Sequence, residues 1–290
     1  MPQVAVVSDT TCYLPDNLVE RERISLVGLY VVFGSDRTVK ESEITDYPAF
    51  FDELRSAESL PTTSQPSVGD FVTTYEPLLE RGDDVISIHI SGGLSGTVES
   101  ARQAAEALQR EGKGGERVRV VDSKTAAGAI GILVVCAARA AAGGGTLEEV
   151  ALRVTDAREQ LRMWFAIDTL EFLKRGGRIG AASAWIGSTL KVKPILTVQD
   201  GVMAPVERVR TSARMFDRLA EYAEERHASD ADAWVVQHID APDQAERLIE
   251  RCHEIFGCEP LFTSEVGPVL SAHTGPGMLG LGAVPLRFTE

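Results

Sequence analysis

The sequence predicts an α/β protein of two domains. Short apolar runs rich in valine and isoleucine alternate with helical patterns through the first half of the chain, which is typical of a mostly parallel sheet with helices on both faces. The composition changes near Arg162, and the turn Asp200-Gly201 between two extended segments then indicates a hairpin. We therefore assign residues 1–161 to an N-terminal α/β domain and residues 162–290 to a smaller α/β domain of the α+β type.

The elements of the N-terminal domain follow from its hydrophobic periodicity. Short apolar runs predict buried strands, and apolar residues spaced three and four apart predict helices. Asp16 or a neighbour is placed to cap the first helix, and Gly143-Gly-Gly145 ends a long apolar helix. The predicted strands are 4–7, 24–33, 85–90 and 117–121, and the predicted helices start at Leu14 and cover 47–54, 71–80, 94–108, 126–138 and 147–161.

The C-terminal domain combines the hairpin with longer helices. Its predicted strands are 164–169, 191–198, 202–210, 233–238 and an extended piece at 261–266, and its predicted helices are 183–190, 212–226 and 242–256. Residues 171–179 form a basic turn in an otherwise acidic protein, and residues 267–277 form a glycine-proline loop that carries His273. A histidine between glycines near a terminus is not expected in a core.

Composition limits the classes of function. Of the 290 residues, 43 are acidic and 29 are basic, and the resulting net charge of -14 argues against nucleic acid and anionic membrane surfaces as partners. The four cysteines form no Cys-x-x-Cys pair, so we expect reduced thiols and no zinc site. The longest apolar run, 126–138, is too short to span a bilayer, and the first residues lack the features of a signal peptide. We expect a cytoplasmic protein without integral membrane association.

A polar turn follows the predicted strand 85–90. Ser91-Gly-Gly93 breaks the strand, and Ser95 and Thr97 lie where the next helix begins. Free backbone N–H groups and the helix dipole favour an anion at such a turn, and ligands of open α/β sheets bind at the carboxyl ends of strands. The pattern indicates a site for a carboxylate or a phosphate, or a turn whose serine and glycine serve capping alone.

A second polar segment, Pro61-Thr-Thr-Ser-Gln-Pro-Ser67, is held extended by its two prolines. Polar loop residues that are held rigidly suit binding better than packing, although a simple linker also explains this segment.

Known nucleotide motifs are absent from the chain. The glycines around Ser95 do not have the G-x-G-x-x-G spacing, and no G-K-[ST] is present. Gly93-Leu-Ser95-Gly-Thr97 differs from the nucleophile elbow G-x-S-x-G only in its last residue. A serine hydrolase that uses Ser95 and His273 is therefore one alternative, and a phosphosugar- or nucleotide-binding α/β module is another.

Six separated segments together resemble the DegV family, from Val4 to about Gly282. Each segment alone is a weak match, but the combination is specific. They are Ser8-Asp-Thr-Thr11, Thr62-Thr-Ser-Gln-Pro-Ser67, Ser91-Gly-Gly-Leu-Ser-Gly-Thr97, Leu173-Lys-Arg-Gly-Gly-Arg-Ile179, Lys191-Val-Lys-Pro194 and Ser271-Ala-His-Thr-Gly-Pro-Gly277.

The resemblance implies a two-domain lipid-binding protein with no catalytic activity of its own, no cofactor and no metal. Members of the family bury a long-chain fatty acid, such as palmitate, between the domains, so the 267–277 loop is expected to return to the lipid site. Members of the bacterial fatty acid kinase system present the carboxylate to a separate ATP-dependent kinase subunit, and acyl-phosphate results.

The family motifs place the carboxylate ligands on Thr63, Ser95 and His273 of this sequence. Thr62 is the alternative to Thr63, because the doubled threonine permits a shift of one residue. The chain departs from the family at Gly92, where a second serine is common, and so lacks a hydroxyl there.

The resemblance also assigns a role to two arginines. Arg178 of the Gly-Gly-Arg turn and Arg210 match family positions associated with docking the kinase or with the phosphate. We expect both to serve the kinase partner and not the lipid.

Overall fold

The computed structural model describes residues 3–35, 37–186 and 192–290. The strands of this part are β1 (Val4–Asp9), β2 (Ser25–Val27), β3 (Tyr30–Phe33), β4 (Arg37–Lys40), β5 (Thr62–Ser64), β6 (Asp84–His89), β7 (Val118–Asp122), β8 (Arg162–Ala166), β9 (Lys193–Gln199), β10 (Val202–Val209), β11 (Ala233–Ile239), β12 (Phe262–Glu265) and β13 (Met278–Val284). The α-helices are α1 (Asp16–Arg21), α2 (Tyr47–Ser56), α3 (Val68–Glu80), α4 (Thr97–Arg110), α5 (Gly128–Ala142), α6 (Leu147–Gln160), α7 (Glu171–Arg175), α8 (Ser212–His227), α9 (Pro242–Phe256) and α10 (Pro268–Thr274).

A four-stranded parallel sheet organises the first half of the chain, in the order β2-β1-β6-β7. Helices α3 and α4 cover one face, where Phe71 and Tyr75 pack with Val7 and Val85. Helix α5 covers the other face and shares a core cluster with Val6 of β1. The predicted parallel sheet with helices on both faces is confirmed.

A small antiparallel sheet, β4-β3-β5, stands beside the parallel one. The predicted single strand 24–33 is therefore two strands that belong to different sheets and are separated around Gly28. The segment 61–67 is not wholly a loop, because Thr62–Ser64 pairs with β3 as β5.

The second half of the chain forms a mixed six-stranded sheet, in the order β10-β9-β8-β13-β11-β12. Strands β11 and β12 are parallel, and the other neighbours are antiparallel. Helices α8 and α9 cover one face, where Leu219 and Leu248 pack with Trp234 and Leu281. The opposite face, which includes Phe165, belongs to the core shared with α5. The sheet thus lies between its own helices and the first half of the chain.

The sequence pattern does not predict β13, although it is a central strand that pairs with both β8 and β11. Its sequence Met-Leu-Gly-Leu-Gly-Ala-Val has glycine at alternate positions, Gly280 and Gly282. Glycine in a strand interior weakens the strand pattern and often marks a place where a ligand or another backbone comes close.

The prediction of a loop at 267–277 is wrong for its central residues. Pro268 occupies the first helical position, which suits proline because no N–H is needed there, and α10 follows as far as Thr274. Gly275 and Gly277, both with positive φ, lead the chain out of the helix. In the basic turn 171–179, the first residues form α7.

The predicted helix 183–190 is also only partly helical. Residues Gly180–Trp185 form a 3₁₀ helix. The positions 187–191, and with them the start of the predicted strand 191–198, lie outside the described residues.

The cysteines are unpaired, as expected: Cys12, Cys136, Cys252 and Cys258 are free thiols. Burial raises the pKa of the first three to about 12, which keeps them protonated and unreactive. Within the described ranges, no helix has the length and apolar character needed to cross a membrane. The same residues contain no cluster of His, Cys, Asp and Glu that is suited to a metal ion.

Candidate functional site

A largely apolar cavity lies between the carboxyl edge of the parallel sheet and the inner face of the six-stranded sheet. Its volume of about 80 Å³ gives room for several water-sized groups, since one needs roughly 10–15 Å³. The lining residues are Leu29, Thr63, Gln65, Ile90, Leu94, Ser95, Ala126, Ala127, Gly128, Ala129, Met163, Phe165, Arg178, Met203, Val235, Gln237, Val266, Val269, Leu270, His273, Thr274, Met278, Gly280, Leu281 and Gly282.

The side chains suited to a polar head group gather at one end of this cavity. Thr63, Ser95 and His273, the three predicted carboxylate ligands, all line it, together with Arg178. Gln65 and Arg178 are exposed, whereas the other lining residues are buried or half-buried. The cavity therefore meets solvent at its polar end.

Thr63 and Thr62 point to opposite sides of β5, because successive side chains of a strand alternate. Thr63 lies opposite Val31 of β3 and lines the cavity. Thr62 is exposed and lies outside the lining. The register of β5 therefore favours Thr63 over Thr62 as a ligand residue.

His273 lies in the last turn of α10 with its Nε2 at 2.7 Å from Thr63 Oγ1. Burial, together with the positive charge of Arg178, lowers the pKa of His273 to about 4, so the ring is neutral near pH 7. Its Nδ1 is buried and has no hydrogen-bond partner within the part of the chain that the structure describes. Gly176 makes room for the ring, since a Cβ at that position would lie 2.4 Å from Nδ1.

A buried carboxylate anchors the helix that carries His273. Glu41 is 3% exposed, and its Oε1 accepts hydrogen bonds from the backbone N–H of Val269 at 2.9 Å and the hydroxyl of Tyr13 at 2.7 Å. The Tyr13 hydroxyl accepts in turn from the N–H of Leu270 at 3.2 Å. An anion satisfies the free N–H groups of a first helical turn. Glu41 and Tyr13 thus fasten α10 to the first half of the chain.

Ser95 stands beside the start of α4, whose N-cap residue Gly96 offers no side-chain cap. The Ser95 hydroxyl lies 2.8 Å from the hydroxyl of Thr97. The same hydroxyl accepts a hydrogen bond from the backbone N–H of Thr97 at 3.4 Å. The other free N–H groups of the first turn favour an anion. Ser91 is engaged elsewhere, because its hydroxyl donates to the carbonyl of Gly201 at 2.7 Å and so holds the β9–β10 turn.

The two predicted kinase-facing arginines occupy different places. Arg178 is part of the cavity wall, where its Nε donates to the carbonyl of Leu94 at 3.3 Å and its Nη1 to that of Gly176 at 2.7 Å. Arg210 follows β10, is exposed and does not line the cavity. Arg178 therefore lines the same cavity as the three predicted carboxylate ligands, and its role toward a kinase partner stays a prediction.

Ser95 and His273, the pair that the hydrolase alternative needs, are not in contact with each other. The Ser95 hydroxyl meets Thr97, whereas Nε2 of His273 meets Thr63. A serine nucleophile requires a base within hydrogen-bond reach, so this geometry gives no support to the hydrolase alternative.

A Ser–His–Asp chain that the sequence motifs do not predict lies outside the cavity lining, within β1 and β6. Ser87 Oγ is 2.6 Å from His89 Nε2, and His89 Nδ1 is 3.0 Å from Asp9 Oδ2. All three are fully buried, so a substrate cannot reach Ser87. Asp9 Oδ2 also accepts from the N–H of Ile90 at 3.0 Å, so the network fixes the chain where the polar turn begins.

Comparison with known proteins identifies the family of this chain. Residues 3–286 match a family model described as an uncharacterised protein of the DegV family. A DegV domain-containing protein of Streptomyces coelicolor is 39% identical over 280 residues, which cover 96% of this chain and 97% of the relative. Protein DegV of Bacillus subtilis is 34% identical over 280 residues, which cover 96% and 98% of the two chains.

Solved structures share the fold over the full length. A DegV family protein from Thermus thermophilus, described by its fatty acid binding, is 34% identical with a TM-score of 0.87, and the match covers 98% of this chain and 100% of that one. DegV of Bacillus subtilis, described as a fatty acid binding protein, is 33% identical with a TM-score of 0.85 over 98% and 99% of the chains. The chain belongs to the DegV family.

Proposed function

We propose that this protein binds a long-chain fatty acid in the cavity and presents the carboxylate to a separate ATP-dependent kinase subunit. The observation that carries the proposal is the division of one cavity into a buried apolar interior and a polar end that meets solvent. This division matches a molecule with one apolar tail and one anionic head. The fatty acid binding described for the Thermus thermophilus and Bacillus subtilis relatives supports the same class of ligand.

The hydroxyls of Thr63 and Ser95 donate to the head group, and the imidazole of His273 orients the Thr63 hydroxyl. A neutral histidine donates from one ring nitrogen and accepts at the other. We assign the proton to Nε2 of His273, which then donates to Thr63 Oγ1 and leaves the threonine O–H free to donate to the carboxylate. Ser95, beside the start of α4, supplies a second hydroxyl. The guanidinium of Arg178 in the same wall adds a positive charge.

The tail supplies most of the affinity. A chain of about sixteen carbons gains roughly 0.8 kcal/mol per buried methylene, or on the order of 12 kcal/mol, against an association cost of about 4–15 kcal/mol. Each hydrogen bond to the charged head adds about 1.5–3 kcal/mol and offsets part of its desolvation. The apolar interior therefore sets the affinity, and the polar end sets the orientation and the choice of head group.

A tail of this length needs more room than about 80 Å³. Three methionines, Met163, Met203 and Met278, line the cavity, and methionine changes its shape more readily than branched side chains. We expect Met203 and Met278 to move aside when the tail enters.

The kinase step takes place at the exposed end. A carboxylate oxygen attacks the γ-phosphorus of ATP held by the kinase subunit, the bond to the bridging oxygen breaks, and ADP leaves with acyl-phosphate as the product. Arg178 and Arg210 are exposed, and arginine forms bidentate, charge-assisted hydrogen bonds with phosphate and carboxylate groups. We assign Arg210 to the kinase surface and Arg178 to the boundary between head group and kinase.

Head-group selectivity tests the binding proposal. Delipidated protein is titrated with a long-chain fatty acid, with its methyl ester and with the alcohol of equal chain length. We expect the acid to bind at least about tenfold more tightly than the ester, because one hydrogen bond to a charged group is worth that much. Equal affinity for all three would contradict a carboxylate site. Turnover of the ester would favour the hydrolase alternative.

A further inference from the structure

The apolar interior of the cavity ends at the same level on three adjacent strands. Its lining reaches Met163 on β8, Gly282 on β13 and Val235 on β11, and no residue of these strands beyond that level takes part. The three are direct neighbours across the sheet, since Gly282 pairs with Met163 on one side and with Val235 on the other. We call Met163, Gly282 and Val235 the terminal rung.

Packed core lies directly beyond the terminal rung. Leu161, Ala233 and Val284 are the next inward-facing positions in that direction, and their exposures are 8%, 3% and 0%. All three belong to one hydrophobic cluster. Leu161, like Met163, also borders a separate pocket, so the packed wall is formed by Ala233 and Val284. Because protein interiors are close-packed, the cavity cannot extend past Gly282 without unpacking these two residues.

The polar end lies at the opposite end of the same strand. β13 begins at Met278, shortly after the helix that carries His273. From Met278 to Gly282 the strand advances about 13 Å, at ~3.3 Å per residue. A tail whose carboxylate is held near His273 therefore runs along β13 toward the terminal rung.

We propose that the terminal rung sets the upper limit on acyl chain length and that Gly282 is the residue on which the limit depends. This inference rests on the proposed function. The backbone at Gly282 does not require glycine, because its φ is not in the left-handed region. A Cβ there would lie 3.5 Å from Val235 Cγ2 and 3.6 Å from Met163 Cβ, which is ordinary contact. The missing side chain leaves room for the last carbons of the tail.

Neighbouring positions are less suited to test this limit. A Cβ at Gly280 would lie 3.3 Å from Phe165 Cβ, which is a tight contact. Gly28 offers a matched control, because it lies between β2 and β3 with no atom within 4 Å of an added Cβ.

The experiment compares wild type, Gly282→Ala, Gly282→Val and the control Gly28→Val. Each delipidated protein is titrated with a homologous series of saturated fatty acids by displacement of a fluorescent fatty acid. Since added carbons displace ligand carbons in a packed site, Gly282→Ala should shorten the preferred chain by roughly one methylene and Gly282→Val by about two or three. Each methylene kept out of the cavity weakens binding about fourfold.

A shift to shorter acids in the Gly282 variants and an unchanged preference in Gly28→Val support the limit. Equal length preference in wild type and in folded Gly282→Ala overturns it, even if both bind fatty acid. If Gly282→Val fails to fold, the smaller Gly282→Ala still decides the question. Absence of any fatty acid binding by wild type overturns the proposed function itself, which separates the two failures.

Discussion

The Thr63 hydroxyl lies 2.7 Å from Nε2 of His273, although 210 positions separate them in the sequence. This contact joins the small antiparallel sheet to α10 at the polar end of the cavity. The head-group contacts proposed for the two residues are therefore coupled, and each depends on the elements that hold the other.

Substitution of Thr63 tests this coupling. Thr63→Val keeps the shape of the side chain but removes the hydroxyl, so the carboxylate loses a donor and His273 loses its partner. We expect fatty acid affinity to fall by roughly tenfold to one hundredfold, as for a hydrogen bond to a charged group. Thr62→Val is the matched control, because Thr62 is exposed and outside the lining. Equal affinities of the two variants in a displacement titration would remove Thr63 from the site.

Ser95→Ala should separate orientation from affinity. The tail holds the ligand in place, so the variant should retain most of its fatty acid, whereas kinase-dependent formation of acyl-phosphate should fall more strongly. Ser100→Ala, farther along α4 and outside the lining, is the control. Lipid occupancy is measured by mass spectrometry, and acyl-phosphate by transfer of label from ATP. Loss of lipid and loss of product in equal proportion would contradict an orienting role for Ser95.

The histidine predicts a pH dependence of stability. The pKa of His273 is about 4 in the folded protein, below its ordinary value of 6.5, so the unfolded chain takes up the proton first as pH falls. The contribution of the neutral His273 to the free energy of unfolding is fully present above about pH 6.5. About 3 kcal/mol of it is lost as the pH falls toward about 4. His273→Gln should flatten this part of the profile in urea unfolding. Parallel profiles of variant and wild type would show that His273 does not titrate in this way.

Substitutions of Arg178 and Arg210 are expected to have different effects on fatty acid affinity and on phosphorylation. Arg210→Ala should leave fatty acid affinity unchanged and weaken phosphorylation by the kinase, with a smaller dependence on salt, because a surface charge contact is screened. Arg178→Ala should lower both fatty acid affinity and phosphorylation, because Arg178 lines the cavity. Arg102→Ala, exposed on α4, is the control. If Arg178→Ala behaves like Arg210→Ala, both arginines serve the kinase alone, as the family resemblance implies.

The local hydrophobic pattern of the sequence was sufficient to predict much of the fold. The apolar runs of β1 and β6 and the periodic helices α4, α8 and α9 were predictable, because their burial follows directly from spacing along the chain. Motifs also identified Thr63, Ser95 and His273, which line one cavity.

Features that depend on distant partners were not predictable. Gly280 and Gly282 interrupt the alternation that would predict β13, although alternate glycines in an apolar run often mark a place where a ligand or another backbone comes close. Glu41 is buried because it contacts α10, more than two hundred residues away in the sequence. From the sequence alone, an isolated glutamate is expected at the surface. The choice between Thr62 and Thr63 depends on the register of β5 against β3, which the sequence does not give.

The most direct test of the central claim is mass spectrometry of an organic extract of the purified protein, with the protein quantified in the same sample. The proposed function predicts one long-chain fatty acid per chain, lost in parallel when the protein is delipidated and restored by incubation with the acid. An extract without fatty acid, from protein that also fails to bind added acid, would contradict it.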